Sequence, residues 1–128
     1  MNFREASRKI DYQLISRYGM ITNDMNPIHT DEKFAAATEM KGIIAHGTIS
    51  LSLIWRSIRM TFGDAAIAKA VLDVRFVRPV RVDELITAGG RRLDDTPDVF
   101  EVWARNQDAQ DVVKGTVRLP STARPSVF

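Results

Sequence analysis

The chain has 128 residues, of which 45% are hydrophobic and 27% are charged, and its formal net charge is +2. This length supports one domain with its own core, so we expect a single domain over residues 1–128. The chain contains no cysteine, which excludes disulfides, thiolate metal ligands and a cysteine nucleophile.

Basic residues are spread along the sequence and do not form a block. Nucleic-acid binding, which favours a clustered basic face, is therefore not expected. The first residues are too charged for a signal peptide, and no apolar run approaches the roughly 20 residues that span a bilayer. We expect a cytoplasmic protein without a membrane partner.

The first part of the chain predicts one strand followed by three helices. Asp11 is a suitable N-cap for the first helix, and Thr30 or Asp31 is suitable for the second. Between them, Pro27 disfavours helical backbone at Asn26, so a turn is expected there. The expected ranges are 3–10 for the strand, then 12–20, about 31–37 and about 47–62 for the helices.

The third helix is apolar over most of its surface. Leu51, Ile54, Trp55, Ile58 and Phe62 follow the i, i+3, i+4, i+7 spacing. Ile49 and Leu53 widen this arc, which predicts a helix enclosed by other elements. The positions expected to face solvent are Ser50, Arg56, Ser57 and Arg59.

The second half changes to a period of two, which predicts four antiparallel strands joined by short turns. Gly89 and Gly90 interrupt the second of them, which predicts a bulge or a sharp bend. A curved antiparallel sheet around the apolar helix satisfies both patterns, so the fold class is α+β. The expected strands are 68–76, 84–92, 99–106 and 112–119, with a loose tail at 121–128.

Asp24 and His29 lie five positions apart on the expected turn. There a carboxylate and an imidazole can converge on one water, take a proton from it and return a proton to a neighbouring carbon. On local pattern alone, a capped turn with a structural histidine explains the same residues. Gly47 opens the apolar helix, where free N–H groups and the helix dipole favour negative charge on a ligand oxygen. A tight turn into the helix also explains Gly47 when the residue is considered alone.

The run DMNPIHTDEKFAAATEMKGIIAHGTISLSL, residues 24–53, resembles the signature of MaoC-like dehydratases and (R)-specific enoyl-CoA hydratases. The resemblance implies the hot dog fold and a catalytic pair, Asp24 and His29, with the Gly47 N–H in the oxyanion hole. It implies a hydro-lyase of fatty acid metabolism that interconverts trans-2-enoyl and (3R)-3-hydroxyacyl thioesters of coenzyme A or acyl carrier protein. It further implies a homodimer, or a higher oligomer, whose sheets join side by side.

The sequence departs from this signature at two places. Relatives often carry Ser-Gly before the acid, where this chain has Thr22 and Asn23, and a small or hydroxyl residue where it has Trp55. Asn26, His46 and Trp55 are candidate substrate-binding residues. Each also has a structural explanation, respectively the turn, the start of the helix and the core. Five arginines are candidates for coenzyme A phosphates, although each is also a common surface residue: Arg56, Arg59, Arg75, Arg78 and Arg81.

Three other functions compete with hydration. A thioesterase of the same fold places its acid on the central helix, but residues 48–62 contain no Asp or Glu. A non-catalytic thioester-binding subunit does not need the acid and histidine. His29, Asp31 and His46 also match an iron facial triad in residue type, although a short chain with one buried helix lacks the many strands of an oxygenase barrel. We expect neither a metal nor an organic cofactor.

Overall fold

The computed structural model describes residues 1–120 and shows one strand, a helical segment and then four more strands. The expected loose tail at 121–128 lies outside the described residues. The strands are β1 (Ala6–Ile10), β2 (Val71–Phe76), β3 (Glu84–Arg92), β4 (Val99–Arg105) and β5 (Asp111–Arg118). The helices are α1 (Tyr12–Thr22), α2 (Pro27–Thr30), α3 (Glu32–Ala36), α4 (Gly47–Phe62) and α5 (Asp64–Ile67).

The five strands form one antiparallel sheet in the order β1-β3-β4-β5-β2. The edges are therefore β1 and β2. These two strands are consecutive in the chain, but β3, β4 and β5 separate them in the sheet. The edge strand β1 carries exposed Arg8 and Lys9, whereas β2 carries exposed Val71 and Phe76 together with exposed Asp73 and Arg75. Charges on an edge discourage pairing with another chain, and both edges carry them.

Helix α4 packs against the sheet, as its apolar pattern predicted. Ile54 and Ile58 are fully buried, and Phe62 at the end of the helix packs against Phe3 and Phe100 with ring centroids 5.1 and 5.2 Å apart. Edge and tilted contacts of this kind add roughly 0.5–1.5 kcal/mol per pair beyond the area buried. The expectation of a sheet around an enclosed helix is confirmed.

Two serines of α4 were expected to face solvent and are buried. Ser57 is fully buried because its hydroxyl donates to the Arg4 carbonyl at 2.6 Å. One turn later in α4, Thr61 also binds Arg4, because the Arg4 N–H donates to Thr61 Oγ1 at 2.9 Å. Ser50 is 2% exposed and lines a cavity. A hydrophobicity scale assigns serine to the surface, because it takes no account of a hydrogen-bond partner such as Arg4, 53 positions away from Ser57.

The bulge expected at Gly89 and Gly90 is wrong. The β3–β4 register runs without a shift through both residues, and the shift lies between Ala104 and Arg105. A Cβ on Gly90 would come within 2.6 Å of the Glu101 carbonyl and 2.7 Å of Phe3. This glycine therefore admits close packing against its neighbours.

Several element boundaries also differ from expectation. Strand β1 begins at Ala6 rather than Phe3, although the Phe3 N–H still donates to the Gly90 carbonyl at 2.8 Å. Residues 64–67 form the short helix α5, so β2 begins at Val71. The turn expected around Pro27 contains the single helical turn α2. No helix within residues 1–120 is long and apolar enough to cross a membrane.

Candidate active site

The turn that carries Asp24 is fixed at the end of α1. Asn23 caps this helix in the left-handed conformation, with φ of 56°, and the Asp24 N–H donates to the Gly19 carbonyl at 2.9 Å. A Cβ on Gly19 would lie 2.9 Å from the Asp24 carbonyl oxygen. The glycine thus lets the chain fold back tightly enough to direct Asp24 toward the start of α4.

Asn26 connects the Asp24 turn to helix α2. Its side-chain oxygen accepts the Ile28 N–H at 3.1 Å and caps α2, while Pro27 occupies the first helical turn, where its missing N–H costs nothing. The Asn26 N–H lies 3.4 Å from Asp24 Oδ1, a long contact. In this structure Asn26 therefore has the turn role that the sequence left open beside substrate binding.

His29 lies on α2 with a defined ring orientation. Its Nδ1 is 2.6 Å from the Ile44 carbonyl oxygen. A carbonyl only accepts hydrogen bonds, so Nδ1 carries the hydrogen and Nε2 presents a lone pair. A neutral imidazole held in this tautomer can take a proton at Nε2.

Asp24 and His29 come close enough to share one water. A carboxylate oxygen of Asp24 and ring nitrogens of His29 and His46 lie within 4.8 Å of one another. Because a water forms hydrogen bonds of about 2.8 Å, it bridges polar atoms up to roughly 5.6 Å apart. Asp24 is exposed and His29 is half-buried, so both are open to solvent or a ligand.

His46 is the buried member of this cluster, with 3% exposure. Its Nε2 lies 2.8 Å from the Asp24 carbonyl oxygen, and its ring stacks on His29 with centroids 3.9 Å apart and planes 29° apart. Its Nδ1 is buried without a hydrogen-bond partner within residues 1–120. One ring nitrogen of His46 is thus bonded to Asp24 and the other is buried, although the residue itself borders the pocket.

The iron triad considered from sequence is not assembled. Asp31 Oδ1 accepts the Phe34 N–H at 3.0 Å and caps α3. Asp24 lies instead beside the two histidines, with one possible ligand atom of each residue within 4.8 Å of the others. The combination of residues considered from sequence therefore does not form, because its acid caps a helix.

Gly47 is the first residue of α4, and its N–H is unpaired within the described part of the chain. Such groups at a helix start are available to an anionic oxygen. The Phe76 ring lies over this residue, 2.9 Å from where a Cβ would stand. The pocket has a volume of about 370 Å³ and is lined by Asp24, His29, His46, Gly47, Thr48 and Phe76.

A second cavity, of about 340 Å³, adjoins this pocket. The two share Gly47 and Phe76, and Arg78 stands in the second cavity with its guanidinium donating to the Asp111 carbonyl at 2.8 Å. The other lining residues are mostly apolar: Met40, Ile44, Ala45, Ser50, Val77, Pro79, Val80, Val112 and Val113. Of the five candidate arginines, Arg78 is thus the one that lines a cavity sharing residues with the pocket.

Trp55 does not reach the pocket. It lies eight residues after Gly47 on α4, about 12 Å along the helix, and lines another cavity with Ser52 and Arg56. It is half-buried and packs against the core. Within one chain, the structure agrees with the core role that the sequence left open for this residue.

Sequence reasoning missed three residues of the site. Thr48 and Phe76 line the pocket, and the Tyr18 hydroxyl lies 2.5 Å from Thr48 Oγ1 while its ring is 5.0 Å from that of His46. Thr48 could have been found from its place next to Gly47. Tyr18 and Phe76 carried no such signal, because their spacing fits an ordinary apolar face.

The helix enclosed by an antiparallel sheet defines a hot dog protein. The family model for the MaoC like domain matches residues 2–118, so the chain belongs to the MaoC-like dehydratase family. This membership confirms the resemblance carried by residues 24–53. A search of curated proteins finds no match.

Solved structures support the fold. R-hydratase PhaJ1 from Pseudomonas aeruginosa is similar with a TM-score of 0.75 and 25% identity, over 94% of this chain and 80% of that one. The (R)-hydratase of A. caviae involved in PHA biosynthesis gives 0.68 and 24%, over 94% and 95%. A chain of the ChsH1-ChsH2 complex from Mycobacterium tuberculosis gives 0.74 and 22%, over 93% and 94%.

Proposed function

We propose that this protein is a hydro-lyase that adds water reversibly to a trans-2-enoyl thioester and forms the (3R)-3-hydroxyacyl thioester. The observation that carries the proposal is the approach of Asp24 and His29 to within 4.8 Å in a pocket that also contains the first residue of α4. Membership of the MaoC-like family and the likeness to R-hydratase PhaJ1 support the same reaction.

The chemistry follows from the protonation of each group. His29 Nε2 has a lone pair because Nδ1–H donates to Ile44, and it takes one proton from the water. The Asp24 carboxylate accepts the second O–H and orients the water. The water oxygen bonds to the β-carbon as the double-bond electrons move onto the thioester oxygen, which becomes an enolate.

The Gly47 N–H stabilises that enolate oxygen. A preorganised donor of this kind is worth about 10²–10³ in rate. When the enolate collapses, the proton on His29 moves to the α-carbon, and the neutral imidazole is restored. Water and proton come from the same face of the substrate, so addition is syn. No step requires a metal or an organic cofactor.

The cavity beside Gly47 supports an apolar acyl group or thioester arm as the neighbouring part of the substrate. Its lining is mostly apolar, and it meets the pocket at the two residues expected to flank the thioester, Gly47 and Phe76. Arg78 at this cavity is a candidate contact for a phosphate of the carrier, because guanidinium binds phosphate through paired hydrogen bonds.

A homodimer formed through β2 fits the distribution of exposed apolar residues. Val71 and Phe76 on this edge, and Val77 just after it, are 51%, 55% and 44% exposed. Phe76 also lines the pocket, whose residues Asp24, Gly47 and Thr48 are exposed in the single chain. A partner strand along β2 would cover part of the pocket, so size-exclusion chromatography with light scattering should give twice the chain mass.

The reaction is tested with purified protein and a panel of enoyl-CoA and enoyl-acyl carrier protein substrates of short, long, branched and dicarboxylic type. Loss of the enoyl-thioester absorbance and a product of (3R) configuration are expected. Free thiol release without hydration would instead indicate the thioesterase. Absence of both reactions across the panel, with the thioester still bound, would indicate a non-catalytic subunit.

A further inference from the structure

We infer that His46 is a positioning residue that holds Asp24 and the ring of His29 in place, and that it does so without a hydrogen bond to the substrate. The inference rests on the proposed hydration chemistry for its kinetic test and on the structure alone for its spectroscopic test. It concerns a buried histidine whose two ring nitrogens have no role in the proton transfers described above.

The tautomer of His46 follows from its neighbours. Nε2 lies 2.8 Å from the Asp24 carbonyl oxygen, which only accepts, so Nε2 must carry the hydrogen. Nδ1 has no partner within residues 1–120. A hydrogen on Nδ1 would be a buried donor without an acceptor, which is unfavourable, so the hydrogen belongs on Nε2 rather than on Nδ1.

This hydrogen bond joins two separate parts of the chain. His46 is the residue before α4, and Asp24 follows α1, 22 positions earlier. The Asp24 N–H is already bound to Gly19, so the peptide groups on both sides of the Asp24 side chain are held. A carboxylate on a backbone fixed at both ends keeps its position relative to the start of α4, where Gly47 lies.

The stacked ring gives His46 its second contact. His29 lies 3.9 Å from His46 between centroids, and Tyr18 packs against another part of the His46 ring with centroids 5.0 Å apart. The Ile44 carbonyl fixes rotation of the His29 ring at one atom, Nδ1. The flat face of His46 fixes its plane, so Nε2 of His29 keeps its direction while it gains and loses a proton.

Two substitutions of His46, by glutamine and by leucine, distinguish its hydrogen bond to Asp24 from its apolar packing. His46→Gln retains a side-chain N–H that can reach the Asp24 carbonyl, whereas His46→Leu keeps apolar volume and removes the donor. We expect His46→Leu to lower kcat by about 10–100-fold, because small displacements of catalytic groups cost rates of this order. KM should change by less than about threefold, because one ring nitrogen of His46 is bonded to Asp24 and the other is buried. His46→Gln should recover most of the lost kcat.

The matched control is Thr38→Val, which also removes a side-chain hydrogen bond to a backbone carbonyl, at 2.7 Å to Ala35, outside the pocket. Equal kcat losses in Thr38→Val and His46→Leu would overturn the inference. So would a rise in KM without a fall in kcat, or a glutamine variant that folds as well as wild type yet is as slow as the leucine variant.

Nitrogen NMR of the wild-type imidazoles tests the inference without any substrate. The His46 ring should show a protonated Nε2 coupled to a non-protonated Nδ1, and the His29 ring should show the opposite pattern. A His46 ring with its hydrogen on Nδ1 would overturn the inference even if hydration is observed. A protein with the expected spectrum but no hydratase activity would refute the proposed function and leave the hydrogen bond of His46 established.

Discussion

The ring of Phe76 lies against the first residue of the central helix, Gly47, where a Cβ would come within 2.9 Å of Phe76 Cε1. The two residues belong to different elements, the edge strand β2 and the helix α4, and they line both the candidate pocket and the apolar cavity beside it. The absence of a side chain at Gly47 therefore determines how closely the sheet edge approaches the proposed oxyanion donor.

The first prediction concerns this contact. Gly47→Ala should displace the Phe76 ring and reduce access to the Gly47 N–H. We expect kcat/KM to fall by roughly 10–100-fold, which is less than the roughly 10²–10³-fold known for complete loss of one oxyanion donor. Unfolding free energy should change little, because an exposed ring can move. Steady-state hydration and urea unfolding measure the two effects.

A double variant provides the control for this prediction. Phe76→Ala in the Gly47→Ala background removes the clash and should return part of the lost activity. If the double variant is as slow as the product of the two single losses predicts, the residues act independently and the contact has no catalytic role.

The second prediction separates the two roles considered for Asn26. Its side-chain oxygen caps α2 by accepting the Ile28 N–H. Asn26→Ser keeps a capping oxygen and should retain activity within about threefold, whereas Asn26→Ala should lose about 0.5–2 kcal/mol of stability and have lower kcat. Thermal unfolding and initial rates are measured on both. Equal activity losses in the serine and alanine variants would instead point to a direct contact between the Asn26 amide and the ligand.

The third prediction concerns stability at the far end of α4. Ser57 is fully buried and donates to the Arg4 carbonyl at 2.6 Å. Ser57→Ala leaves that carbonyl without its donor and should reduce the free energy of unfolding by about 1–3 kcal/mol. Ser52→Ala removes only a local bond to Ile49 and is the matched control. Urea denaturation compares them, and equal stability of the two variants would contradict the prediction.

The regular elements could be predicted because their causes are local. Asp11 caps α1 by accepting the Leu14 N–H at 2.8 Å, and the apolar spacing of α4 gave its ends at Gly47 and Phe62. Alternation placed the four later strands within a few residues of their observed limits. In each case the signal lies within one turn or one strand of the residue concerned.

The features that could not be predicted depend on contacts between residues far apart in the sequence. Phe76 fitted the alternation of a half-buried strand, yet β2 is an edge and the residue is 55% exposed. Tyr18 reaches Thr48 across 30 positions, and Ser57 reaches Arg4 across 53. Neither hydrophobic periodicity nor composition indicates which element packs against which, so these contacts are seen only in the folded chain.

The candidate site was identified partly from a local sequence motif and partly from contacts in the folded chain. The motif identified Asp24, His29 and Gly47, and the structure brings them to one pocket. The sequence also offered Asp31, together with the two histidines, as the acid of an iron triad. In the structure the Asp31 side chain instead caps α3 by accepting the Phe34 N–H.

The most direct measurement is hydration of crotonyl-CoA by Asp24→Asn and His29→Ala, with Asp31→Asn as the matched control. Asp24 is exposed and makes only a long side-chain contact, so its variant should fold normally. Both pocket variants should hydrate about 10²–10⁴-fold more slowly than wild type, and the control should match it. Folded Asp24→Asn and His29→Ala proteins with wild-type turnover would contradict the assignment of these two side chains to water activation.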